Sequence, residues 1–185
     1  CDLVNAVEEC TSLGGKYQQY GYFHARDKHL GILAGNIYHQ QKYQETVGKA
    51  FLVECQDEQK QGVLYVDGVV MQQDIADVLS EIKVNWAVLY VKAILETARG
   101  IPQKEIIFNL SHDSTQRSAW QFCKFIANLC GLEDGKDYQY KEDQAVLMST
   151  DGFCLEEKTA ARHYHYLEKR RDDGCPKEHF LAGFW

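Results

Sequence analysis

Residues 62–131 constrain the fold of this chain more than any other stretch. Apolar, β-prone runs alternate there with helix-periodic segments. Gly62-Val-Leu-Tyr-Val-Asp-Gly-Val-Val-Met71 is followed by residues 86–99, then Glu105-Ile-Ile-Phe-Asn-Leu-Ser111, then residues 115–130. An apolar strand feeding a helix that returns to a second apolar strand is the βαβ unit of a helix-covered sheet. Ligands of such sheets sit at the carboxyl ends of the strands. The residues after Val70 and after Leu110 are therefore where chemistry is expected.

The flanking pattern predicts more strands than helices. Residues 2–13 have helical spacing and stop at Gly14-Gly15. Residues 17–25 and 30–38 are β-prone and predict an antiparallel hairpin, with residues 40–45 as a polar loop. Residues 50–55 and 63–71 predict a third and a fourth strand. Ile75, Val78, Leu79 and Ile82 recur at helical spacing and predict a short helix over 74–83. The next helix presents Trp86, Leu89, Tyr90, Ala93, Ile94 and Thr97 on one face and ends at Gly100. Residues 106–110 form a run suited to a strand buried on both faces. The last core helix, capped by Ser114 or Thr115, presents Ala119, Phe122, Cys123, Ile126 and Leu129. Residues 137–142 and 145–149 predict two final strands, and the charged tail 156–185 is expected to be helical as far as Asp173. The expectation is one domain over 1–185, of α/β (α+β) class. Its central sheet is mixed and mostly antiparallel, flanked by helices.

Composition narrows the function. The net charge of −7 argues against general binding to nucleic acid or acidic membranes. The seven cysteines include no CxxC pair, which argues against a structural zinc site or a disulfide framework. Most of them are expected to be small buried thiols in a reducing compartment, with the cytoplasm as the default location. No apolar run reaches the length of a membrane span.

Three segments carry a family resemblance. Tyr22-Phe-His-Ala-Arg-Asp27 followed by Leu30-Gly-Ile-Leu-Ala-Gly35 is a polar turn leading into a glycine-containing apolar strand. The second segment is Leu64-Tyr-Val-Asp-Gly-Val-Val70. The third is Ile106-Ile-Phe-Asn-Leu-Ser111 with Ser118-Ala-Trp-Gln-Phe-Cys-Lys124 and Gly131-Leu132. In type and order these elements resemble the GNAT superfamily of N-acetyltransferases over about the middle two-thirds of the chain. The resemblance implies acyl transfer from acetyl-CoA to an amine of a small molecule or protein. It implies that Val69, Val70 and Met71 give backbone contacts to the acyl carrier, with Asn109, Ser111 and Thr115 lining the same end. It places a proton donor at Cys123, where that family often has a tyrosine. Asp67 would be general base; it also suits a plain turn at Asp67-Gly68. Cys123 lies on the apolar helix face, which equally suits a core thiol. At the position of the family's basic, glycine-rich phosphate turn, this chain has Gln72-Gln-Asp-Ile-Ala-Asp-Val-Leu-Ser-Glu-Ile-Lys83. That segment has no glycine and is acidic, so it does not match.

Other readings stand beside this one. The same fold without cofactor would be a binding module, with Phe180, Phe184 and Trp185 available to a partner. Asp67 with Glu81-Ile-Lys83 has the spacing of a PD-(D/E)xK nuclease, whose carboxylates bind Mg²⁺, provided Glu81 and Lys83 lie on a strand. His29 with Cys175 has the histidine-before-cysteine order of the lecithin:retinol acyltransferase group of hydrolases. The polar run Ser111-His-Asp-Ser-Thr115 serves equally as a ligand cluster or as helix capping. His163 and His165, two apart on a helix, would not share a face, so no metal site is expected there.

Overall fold

A computed structural model describes residues 30–56, 62–100, 105–110, 117–132, 144–152, 154–159 and 165–166. The strands are β1 (Leu30–His39), β2 (Lys42–Gln56), β3 (Gly62–Met71), β4 (Glu105–Asn109), β5 (Gln144–Ser149), β6 (Cys154–Thr159) and β7 (His165–Tyr166). The helices are α1 (Gln73–Glu81) and α2 (Trp86–Gly100), both between β3 and β4, and α3 (Arg117–Leu129), between β4 and β5. One sheet holds all seven strands in the order β1-β2-β3-β4-β5-β6, and β7 pairs with the end of β2. Every pairing is antiparallel except β3 with β4, the two strands that bracket α1 and α2. The expected α/β class with a mixed, mostly antiparallel sheet is what these residues form. The hairpin partner predicted over 17–25 and the strand over 137–142 lie outside the described residues.

The core follows from strand alternation. Ala50, Leu52, Leu64, Val66, Ile106, Phe108, Val146 and Met148 form one face and pack against α2 and α3. Phe51, Val53, Val63, Tyr65, Ile107, Ala145 and Leu147 alternate with them and are buried as well. A sheet buried on both faces explains why β3 and β4 read as continuous apolar runs. The helices turn slightly differently from their predicted faces. α2 buries Trp86, Ala87, Tyr90, Val91, Ile94 and Ala98 and leaves Leu89 exposed, and α3 leaves Leu129 exposed. Trp86 stacks on Phe122 at 6.0 Å between ring centroids, which joins the two helices over the sheet.

Two predicted segments are corrected. Residues 42–45 are strand, because β1 and β2 meet in a two-residue turn at Gln40 (φ 48) and Gln41 (φ 63). Both turn residues are left-handed, the geometry that matches the twist of a tight hairpin. The hairpin tip projects into solvent, so its backbone pairing carries no apolar alternation to read. The tail is also not helical where it is described: 154–159 and 165–166 are strands. Pairing of β6 with β5 overrides the helix-favouring Glu156, Glu157 and Lys158.

Candidate functional site

Of the residues expected to carry chemistry, Asp67, Val69, Val70 and Met71 lie on β3 beyond its pairing with β4, and Asn109 ends β4. The two strands pair from Val63↔Glu105 to Val66↔Phe108 and no further, whereas β3 continues to Met71. The cause is local. Gly68 has φ 55, and the register of β3 on β2 slips between Phe51↔Asp67 and Lys49↔Val70. This is a bulge with glycine in the left-handed conformation, which increases twist and bends the strand. It also resets the alternation: Val69 and Met71 join the helix-side core, where unbroken alternation from Val66 would bring Gly68 and Val70. The backbone of residues 67–71 thus has β2 on one side and no strand on the other among the described residues.

α3 lies along that open side. Val70 packs on Ala119, and the Met71 N–H donates to the buried Ser118 Oγ at 3.2 Å. The next N–H, of Gln72, points the opposite way and donates to the Val47 carbonyl at 2.7 Å. By strand alternation the Val69 and Met71 N–H groups face the α3 side, about 6.7 Å apart.

Val69, Met71 and Cys123 share the core cluster, and Asn109 sits at the end of β4, 7% exposed. The Cys123 thiol is buried and directed at the Asn109 backbone carbonyl, with Sγ at 4.0 Å. It is a core thiol rather than one presented to solvent. Asp67 occupies β3 directly before the bulge, opposite Phe51. Ser111 and Thr115 lie outside the described residues, as do His29, His163, Cys175, Phe180, Phe184 and Trp185.

The start of α1 is not built for phosphate. Gln72 precedes it without a side-chain cap, its first turn contains Asp74, and the Asp74 carboxylate accepts the Ile75 N–H at 2.9 Å. An anion there would meet a carboxylate already placed on the helix N–H. Asp77, one turn on, faces Arg117 of α3 at 3.7 Å across an exposed surface. Glu81 is the last residue of α1 and Lys83 lies in the following turn at φ 60, so the strand placement that a PD-(D/E)xK site needs is not met. Among the described residues no group of three or more His, Cys, Asp or Glu could hold a metal ion, and no helix is long and apolar enough to cross a membrane.

Several features were missed in the sequence. Lys49 is fully buried in β2, with its Nζ 5.6 Å from the centre of the Phe51 ring. The Tyr90 phenol rests on Gly35 and Gly48, which face each other across β1 and β2. Its hydroxyl lies beside the Gly35 backbone but makes no hydrogen bond of good geometry, and burial pushes its pKa up. Two glycines within strands were the available signal, since they mark a close approach. A surface cavity of about 380 Å³ is lined by Ser80, Lys83, Asn85, Trp86, Gln121 and Phe125, among others. Of the candidate residues it contains only Lys83, whose nuclease role the turn at φ 60 does not fit, and the open edge of β3 is the better candidate on chemical grounds. Cys55 and Cys123 are buried thiols outside any disulfide, as expected, but Cys130 is disulfide-bonded and departs from the pattern expected of most of the cysteines.

No protein-family model, curated protein or solved structure matches the chain.

Proposed function

We propose that this chain is an acyl-CoA-dependent N-acyltransferase of GNAT-like order, moving an acetyl group to an amine of a small molecule or protein. The observation that carries the reading is the departure of β3 from β4 after Val66, with Gly68 at φ 55 bending the strand away. An unpaired strand edge offers alternating N–H and C=O groups to an extended, amide-bearing ligand, as in strand addition. The pantetheine arm of coenzyme A is such a ligand, and Val69, Val70 and Met71 are the residues it would follow. The amine attacks the thioester carbonyl directly. Asp67 takes the amine proton, itself or through water, and the leaving thiolate is protonated from solvent because the Cys123 thiol is committed to the core.

The test is thermal. Acetyl-CoA at millimolar concentration raises the melting temperature by mass action on the native state. No shift at that concentration removes the reading.

The second reading is a binding module that keeps this fold without a cofactor. What favours it is Asp74, whose carboxylate already holds the Ile75 N–H at the start of α1. Under this reading the melting temperature is indifferent to acetyl-CoA.

A further inference from the structure

We infer that the Ser118 hydroxyl stands in for the acyl carrier on β3, so that a ligand entering the edge must displace it from the Met71 N–H; this rests on the acyltransferase reading above. Past the bulge, β3 needs a substitute for the carbonyl that a neighbouring strand would supply. Ser118, the second residue of α3 and 5% exposed, provides it with Oγ 3.2 Å from the Met71 nitrogen. A buried N–H left unmet is costly, so the free protein benefits from the contact. The same contact competes with any ligand carbonyl aimed at that N–H.

Geometry makes the exchange feasible. The hydroxyl is a single rotor, and a change of rotamer releases the N–H without breaking any backbone pairing of β2 with β3. Ala119, one residue on, fills the space against Val70 with only a methyl group. The helix therefore meets the strand through two small side chains, the arrangement that concedes space most readily. Ser118 is accordingly a positioning residue that sets affinity for the acyl donor without taking part in the chemistry.

The experiment compares acetyl-CoA binding by calorimetric titration in the wild-type chain, Ser118→Ala, Ser118→Cys and the control Thr97→Ala. Thr97 also makes a side-chain hydrogen bond, to the Ala93 carbonyl at 2.8 Å, but within α2. Ser118→Ala lowers the melting temperature of the free protein and tightens acetyl-CoA binding by roughly fivefold, the size of one net hydrogen bond no longer displaced. KM for the donor falls accordingly and kcat is unchanged. Ser118→Cys keeps the side-chain volume with a weak acceptor and falls between wild type and Ser118→Ala. Thr97→Ala, far from the edge of β3, leaves the affinity unchanged. If wild type binds acetyl-CoA and Ser118→Ala binds it equally or more weakly, the inference is overturned while the acyltransferase reading stands. If none of the four proteins binds, both fall together.

Discussion

The two halves of β3 are held in different ways. Residues 63–66 are held on both sides, by β2 and β4, and their side chains are buried on both faces. Among the described strands, residues 67–71 keep only β2; they carry the left-handed Gly68 and meet a helix where the first half meets a strand. One strand thus serves as scaffold over its first half and as a candidate ligand edge over its second. The change from one to the other takes a single glycine.

The sharpest way to break this comparison is to attack the scaffold half. Phe108 closes the last β3–β4 pair and lies 6.1 Å from Phe122 between ring centroids. Phe108→Ala removes a buried ring from the centre of the core, and stability should fall by about 3–5 kcal/mol. Urea denaturation would measure this, and a loss under about 1 kcal/mol would mean the two halves are held alike.

A smaller effect is expected at the transition itself. Gly68→Ala puts a Cβ at positive φ, 3.1 Å from the Phe51 ring. The left-handed conformation alone costs an L-residue about 1–2 kcal/mol. The variant should therefore lose at least that much, read as a lower urea midpoint. A neutral substitution would show that the bulge does not depend on glycine.

The scaffold half also has a pH signature. Cys55, paired with Val63, has its thiol pushed up to about 12 from an ordinary value of 9.0, chiefly by burial and then by Glu54. The unfolded chain ionises first, so between pH 9 and 12 the native state holds the extra proton and stability falls as pH rises. The slope from this thiol approaches about 1.4 kcal/mol per pH unit. Cys55→Ala should flatten the decline relative to wild type in denaturation series from pH 8 upward. Parallel curves for the two proteins would exclude the thiol as a cause.

The smallest effect belongs to the other half, where Gly48 pairs with Met71 under the Tyr90 phenol. Tyr90→Phe removes a buried hydroxyl that gains little, and stability should stay within about 1 kcal/mol of wild type or rise. A thermal melt decides it. A large loss would reveal a hydrogen bond that the geometry does not contain.

Much of the scaffold half was legible in the residues. Leu64, Val66, Ile106 and Phe108 announce buried strands by composition alone, and Gly100 ends α2 where expected. The hairpin arm over 42–45 was not legible, because its strand character comes from backbone pairing in solvent. The β6 strand was hidden for a related reason: its residues prefer helix and are recruited by β5. At the candidate site, Val69, Met71 and Cys123 share one core cluster and the Cys123 thiol lies against the Asn109 carbonyl, a proximity that follows from the carboxyl ends of β3 and β4. Ser118 could not be found that way. Its importance depends on which direction a single N–H points after a bulge, and only three-dimensional register determines that.

The phenol of Tyr90 seated over Gly35 and Gly48 acts like a key in a keyway. It seats α2 directly on the β1–β2 hairpin, at the one place where two facing glycines leave room for it. If a ligand enters beside β3 as proposed, the group asked to give way is the Ser118 hydroxyl on α3, and exchange quickened at the Met71 amide but not in α2 would trace it.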